Sequence, residues 1–521
     1  MERGTGGGPR SAAVGTPDAA PVVCTAEGAT EGAAEGRAEG RAEGAAEGAE
    51  SVAVVGGEAD RLLQSFRLRD LVPLSVSSVG PMFSVAATGG VMAAAAGWWS
   101  LPAIAVLALP FVVSSFVFRL LNRHFPHAGA SYHWSARIVG RGPSRYQAWV
   151  LILAYFFSIP PIAIPAGSYT LALIAPHSHA PAGVHMAVTL FWIGFAAVPL
   201  LLGGRPTARI TQVFFGVEMI SLAGFGVLGA MRWSKLSVPV HFGAPPWGGI
   251  LVVAVVAATI LDGWEIDSYA SEESQHPRRW PGTSGVYGLV VVFALYMVMM
   301  PLITMETPLP ALASSADPLA TWVGVVMPSA GWAIDVAVIA STASSLWLTA
   351  FILSRAWYSM GRSGLLPRGF SRVHRTLHSP WVAIAAITGA EIAVQLLELT
   401  SSSVFAFFSL VLTAAGVFLL LEFALNGITA TVHFRRAHRP MGLEPPSPHR
   451  HLLLVVLGPI TAAGMLVIVA VGLVTNPYLA VIAGVLLVPS VYFLWRARRL
   501  ASAQLLYSPL AEGEESLSQH S

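Results

Sequence analysis

The sequence predicts an all-α integral membrane protein of twelve transmembrane helices, and three observations carry that prediction. Residues of the AVILMFWYC set make up 54% of the 521 and charged residues only 11%, against roughly 25% charged in an average soluble domain. A water-soluble chain of this length needs a charged shell that this composition does not provide. Apolar stretches recur that reach the roughly 20 residues a helix needs to cross the hydrocarbon core. They are apolar throughout, without the inside–outside alternation of an outer-membrane barrel. The third observation is the distribution of arginine. Eighteen arginines fall in five alternate loops, whereas the intervening loops carry only Arg232 and Lys235. That is the positive-inside pattern for twelve spans with both ends in the cytoplasm.

Residues 1–60 read as a disordered low-complexity tail: Glu31 to Glu50 repeats Glu-Gly and Arg-Ala-Glu-Gly units without a large apolar side chain. No charged n-region with a following apolar h-region marks this leader as a secretory signal. The apolar stretches are Leu71–Ala96, Trp98–Leu121, Gln147–Ala175, Val184–Leu202, Thr211–Met231, Gly248–Ala270, Val286–Met305, Gly331–Tyr358, Trp381–Leu397, Val404–Thr429, Leu452–Val474 and Pro477–Trp495. They define a twelve-helix domain over 66–500, and residues 501–521, with Glu512, Glu514 and Glu515, read as a second solvated tail. Trp98 and Trp99 fit an interfacial belt.

Composition also excludes whole classes of function. The 50 glycines and 36 prolines follow no triplet period, so no fibre is encoded. Cys24, the single cysteine, rules out an intrachain disulfide or a cysteine metal cluster. The 15 histidines form no metal pair, and no nucleophile–base constellation or cofactor motif stands out, so no catalytic residue, metal or organic cofactor is expected. A net charge of +2 excludes bulk attraction to nucleic acid. A potassium-type filter sequence is absent too, which argues against a channel.

Two stretches are interrupted where a plain anchor would be continuous. The first contains Ser77-Ser78-Val79-Gly80-Pro81-Met82, the sixth Leu261-Asp262-Gly263-Trp264-Glu265-Ile266-Asp267. Proline removes a backbone donor, glycine permits unusual dihedrals, and three carboxylates within six residues are costly in hydrocarbon unless they face water or protein. These stretches open two successive sets of five. Breaks at corresponding positions of two halves point to a transporter site at the bilayer midplane, inside a five-plus-five inverted repeat. The competing reading of Gly80-Pro81 is a packed kink, and that of Asp267 is a place at the cytoplasmic mouth beside Glu272 and Glu273.

The candidate substrate-binding residues are therefore Ser77, Ser78, Gly80 and Met82 from the first break, with Asp262, Gly263, Trp264 and Glu265 from the sixth. The serines add hydroxyl donors, Trp264 can cover an ammonium with its ring face, and Glu265 offers the counter-charge. A packed or lipid-facing tryptophan is the alternative for Trp264. Glu218 lies deep in the fifth stretch among apolar neighbours, either as a proton carrier together with Glu265 or as a neutral carboxyl bonded between helices. Ser341, Thr342, Ser344 and Ser345 in the eighth stretch suit either sodium ligation or small-residue packing; with Glu218 in view, the proton is the expected coupling ion. Glu422 and Asn426, at i and i+4, can pair with each other.

Three segments give the chain a family resemblance. Ser354-Arg355-Ala356-Trp357-Tyr358-Ser359-Met360-Gly361-Arg362-Ser363-Gly364-Leu365-Leu366-Pro367 is similar to the loop after helix eight in the amino acid–polyamine–organocation superfamily of secondary transporters. Phe125-Pro126-His127-Ala128-Gly129-Ala130-Ser131-Tyr132 resembles that family's entry to helix three. Asp262-Gly263-Trp264-Glu265, with Glu272-Glu273 and Pro277-Arg278-Arg279, resembles its sixth helix and exit. The likeness, of the bacterial amino acid permease type, spans about 66–500. It implies a secondary active transporter of amino acids or related amines in the cytoplasmic membrane, working by alternating access, with a small molecule, a proton and the lipid bilayer as partners. Proton-coupled relatives hold lysine at the position of Glu218. The family's first-helix glycine run, whose amides bind a substrate carboxylate, is replaced here by Ser78-Val79-Gly80-Pro81-Met82-Phe83-Ser84, and Pro81 deletes one donor. That departure keeps a polyamine or organic-cation carrier, or a substrate exchanger, in view; a membrane sensor that binds without transporting is the alternative from another class.

Overall fold

A computed structural model of the chain describes residues 62–175, 181–315, 317–436, 456–475 and 479–488. The expected tails at 1–60 and 501–521 lie outside the described residues, and the last two expected spans lie partly outside them. The described residues are all-helical, with one isolated bridge between Phe66 and Ser274.

The helices follow in order: α1 Leu68–Val79, α2 Pro81–Ala96, α3 Ser100–His124, α4 Ala130–Ile138, α5 Arg141–Ile174, α6 Ala182–Leu201, α7 Gly204–Leu236, α8 Trp247–Ile260, α9 Ile266–Tyr269, α10 Thr283–Glu306, α11 Leu309–Ser314, α12 Pro318–Val326, α13 Gly331–Arg362, α14 Trp381–Gln395, α15 Val404–Arg436 and α16 Gly458–Thr475. Among the described residues eight helices are long and apolar enough to cross a membrane, or up to nine when Gly458–Val474 and Leu479–Val488 count as one bent span.

That number differs from twelve for reasons visible in the helices themselves. The first two expected spans run together as Leu68–His124, 57 residues. Laid straight, such a run would extend about 85 Å, nearly three times a bilayer core of about 30 Å. It turns instead at Gly97, whose φ of 55° only glycine adopts readily. The sixth expected span is cut short: α8 has 14 residues and ends where the acidic interruption begins.

Apolar side chains cover both the interior and the outside. Val213, Ile220 and Val227 on α7, seven residues apart and hence on one face, are all exposed. Exposed apolar rows of this kind need a non-aqueous surrounding, and lipid supplies it. The interior gathers α5, α13 and α15 around the two interrupted ones, with α2 packed on α8 and α1 on α10.

Candidate functional site

The first interruption is a change of helix at one residue. Gly80 has φ 60° and ψ 66°, caps the end of α1 and precedes Pro81, the first residue of α2. Proline is tolerated there because a first-turn N–H has no helical partner to lose. The remaining first-turn amides all have acceptors. Met82 N donates to Glu218 Oε1 at 3.0 Å, Phe83 N to Ser341 Oγ at 3.0 Å, and Ser84 N to Gly80 O at 2.8 Å. The Ser341 hydroxyl donates in turn to Glu218 Oε1 at 2.5 Å. Carbonyls at the end of α1 are engaged as well: Ser345 Oγ donates to Ser78 O and Ser84 Oγ to Val79 O.

The second interruption, 261–265, joins α8 to the short α9. The Tyr296 hydroxyl donates to Ile260 O at the end of α8, at 2.9 Å, and the Trp264 indole donates to Leu261 O within the interruption, at 2.9 Å. Glu265 is fully buried and accepts from Tyr155 OH at 2.6 Å and from Gly263 N at 3.0 Å. Gly263, at φ 105°, lies directly on the other break. A Cβ there would stand 2.9 Å from both Ser78 C and Val79 N, so no other residue lets the two backbones approach this closely.

Where the breaks meet, a cavity of about 30 Å³ remains, lined by Ser78, Phe83, Ser158, Thr259, Asp262 and Ser345 among others. It has room for about two water molecules. Two residues of its lining carry buried side-chain oxygens without a partner, Ser78 Oγ and Asp262 Oδ1; Ser77 Oγ and Glu218 Oε2, outside the lining, are unpartnered too. Unpaired buried polar atoms are expensive, and in functional sites they mark where a ligand or water completes the bonding.

Ser78, Gly80, Asp262, Gly263 and Glu265 thus come together. Met82 contributes its amide, which Glu218 already holds. Trp264 turns away from the cavity and packs edge-on against Phe118 at 5.2 Å and stacked on Phe423 at 5.8 Å. Glu218, read from the sequence either as a proton carrier or as a carboxyl bonded between helices, bridges α7, α2 and α13. Asp267 sits apart from the cavity and caps α10, accepting from Gly282 N at 2.6 Å, Gly285 N at 2.5 Å and Ser284 Oγ at 2.7 Å. Glu422 accepts from Asn426 Nδ2 at 2.8 Å, the i, i+4 pair expected from spacing. The tyrosines Tyr155 and Tyr296 carried no signal in the sequence, since an aromatic residue in an apolar helix is ordinary.

The segments that carried the resemblance converge on one end of the bundle. Buried Arg355 on α13 holds Glu273 through two nitrogens, Nε to Oε1 at 2.8 Å and Nη2 to Oε2 at 3.3 Å. Glu273 O accepts from Ser65 N and Phe66 N, and so ties the residues before α1 to the exit of the second break. Arg362 pairs with Glu272, which also accepts from Ala128 N at 3.0 Å. His127 stacks on His133 with ring centroids 3.7 Å apart, and Tyr132 OH bonds Ser359 Oγ. Burial, reinforced by Arg362 and Arg137, pulls His127 well below the ordinary imidazole range; burial does the same to His133, with His127 and Arg137 adding to it.

Several known proteins share this sequence pattern. The chain is 26% identical over 344 residues to a methylthioribose transporter of Bacillus subtilis, covering 62% of this chain and 71% of that protein. It is 23% identical over 357 residues to a branched-chain amino acid permease of the same organism, covering 64% and 74%. An L-methionine/branched-chain amino acid exporter of Escherichia coli is 25% identical over 233 residues, 43% of this chain and 52% of that one. The amino acid permease family model matches residues 68–494, from the start of α1 through the last described helix. The chain belongs to the amino acid permease family of the amino acid–polyamine–organocation superfamily.

Proposed function

We propose that the protein is a secondary active transporter that carries amino acids or related amines across the cytoplasmic membrane, coupled to protons, by alternating access. The observation that carries this reading is the abutment of the two breaks, Gly263 on Ser78 and Val79, around a cavity edged by unpartnered oxygens. Broken helices expose backbone and side-chain polarity in the middle of a bundle, where a substrate can be bound without crossing lipid. A cavity of 30 Å³ is too small for an amino acid, so loading requires the breaks to separate. Glu218 and Glu265, buried carboxyls that touch one break each, are the candidate proton carriers. A twelve-helix, five-plus-five topology with both termini cytoplasmic completes the reading. Its support is the turn at Gly97 inside the 57-residue run, the interrupted α8 and the arginine asymmetry.

A second reading, a polyamine or organic-cation carrier or exchanger, is favoured by the Asp262 carboxyl on the cavity wall and the Glu265 carboxyl buried in the same break. The test is uptake by purified protein in proteoliposomes, in sodium-free buffer with an imposed proton gradient. Gradient-driven accumulation of amino acids or amines that Glu265→Gln abolishes is the expected result. Substrate binding without uptake would instead identify a sensor, and accumulation indifferent to the proton gradient would refute proton coupling.

A further inference from the structure

A second cavity, of about 240 Å³, lies between the starts of α1 and α7, and its lining includes Ser65, Arg67, Arg69, Asp70, Arg205 and Arg209. All four arginines are exposed, and no described carboxylate forms a salt bridge with any of them. Asp70 is the one acidic residue of the lining, and uncharged donors hold both of its oxygens. Gln212 Nε2 donates to Oδ1 at 2.8 Å and Arg67 N to Oδ2 at 2.9 Å. Four guanidinium charges therefore stand against a single carboxylate. Ser65 adds a further donor: it is 6% exposed and lines the cavity, and its hydroxyl has no partner. Guanidinium groups gathered with a hydroxyl match the oxygens of a phosphate ester, which arginine binds through paired N–H groups.

The surface beside the cavity distinguishes a lipid phosphate from a soluble one. Arg205, Arg209 and Val213 follow one another at intervals of four on α7, so the arginines continue the exposed row of Val213, Ile220 and Val227. A phospholipid needs that arrangement, with its headgroup phosphate on the arginines and its acyl chains along the apolar row. A soluble phosphate would engage the arginines alone. Basic pockets between spanning helices recognise anionic headgroups in this way.

We propose that this cavity binds the headgroup of an anionic phospholipid, held by Arg67 and Arg69 at the start of α1 and by Arg205 and Arg209 at the start of α7. The bound lipid braces α1 against α7, next to the Ser65 and Phe66 amides that donate to Glu273 O.

The experiment is native mass spectrometry of the purified full chain in a non-ionic detergent. The chain is titrated with phosphatidylglycerol, with phosphatidylcholine of the same chain length, and with glycerol 3-phosphate as the soluble arm. No transport is measured, so failure here leaves the transport reading standing. Saturable phosphatidylglycerol binding at least tenfold tighter than either other ligand is expected. Each basic residue near an anionic headgroup contributes roughly a factor of five, so Arg205→Gln with Arg209→Gln should weaken it on the order of 30-fold. Arg368→Gln with Arg372→Gln removes the same charge from exposed positions after α13 and should leave binding intact. Equal losses in the two double variants would overturn the proposal, because diffuse attraction to a positive surface would explain them. Phosphatidylcholine or glycerol 3-phosphate binding as tightly as phosphatidylglycerol would overturn it as well.

Discussion

Removing the Glu273 charge should unlatch the end of the bundle that carries the arginine-rich loops. Arg355 and Glu273 are 0% and 1% exposed, joined through two nitrogens, with the Arg355 guanidinium 3.6 Å over the Phe351 ring. In Glu273→Gln the guanidinium stays buried without its counter-charge, a change of roughly 3–5 kcal/mol. The same residue holds Ser65 and Phe66 through its carbonyl, so the loss falls on the joint between α13, the residues before α1 and the exit of the second break. If that joint must part for the cavity to open on this side, only the closed state is destabilised. At about 1.4 kcal/mol per decade the open population then rises roughly 100- to 4,000-fold. The assay is labelling of Ser78→Cys, in a chain whose single native cysteine Cys24 is replaced, by a membrane-impermeant maleimide offered to inside-out vesicles. Labelling at least tenfold faster in the Glu273→Gln background is expected. Equal rates in the two backgrounds, with both proteins folded, would refute the assignment of this ion pair as a latch.

Other outcomes follow from the same geometry. Burial and the neighbouring arginines hold His127 and His133 neutral, below the ordinary value of 6.5, with Glu272 the one opposing charge beside them. A state that frees the pair binds more protons at low pH, so the latch keeps its full stability above pH 6.5 and loses it as the pH falls below. Labelling of Ser78→Cys from that side, relative to a freely exposed cysteine at the same pH because the thiolate is the reacting form, should accelerate on acidification, and His133→Gln should flatten the profile. Gly263→Ala forces a Cβ to 2.9 Å from the Ser78 backbone at a φ of 105°, strain of roughly 1–3 kcal/mol. Uptake should fall sharply while the protein still purifies as a folded species; wild-type rates would show that the breaks need not abut. Asp267→Ala strips the cap from Gly282 and Gly285 and should lower thermal stability by roughly 3 kcal/mol, without reordering substrate preference in proteoliposome uptake.

Much of this molecule is legible before any coordinates. Gly80-Pro81 and Asp262-Gly263 are local statements about backbone conformation, and the structure has a helix ending at each. Asp267 was open between mouth and interior from its place in the chain; the structure gives it the start of α10, because Gly282 and Gly285 lie close to it only after the chain has turned. Trp264 reads equally as a lid or as packing from the sequence; in this structure its ring packs against Phe118 and Phe423.

What the sequence determined by itself was the class of molecule, its helix breaks and its family pattern. Those rest on composition, on residues that interrupt a helix and on the uneven arginines, all read within a few neighbours along the chain. What only the tertiary structure decided was which polar groups meet. Glu218 reaches Met82 across 136 positions and Tyr155 reaches Glu265 across 110. Such meetings depend on how each helix is rotated about its axis. In a soluble helix the apolar stripe announces that rotation, but here the lipid-facing and core-facing sides are both apolar, so the pattern is nearly silent.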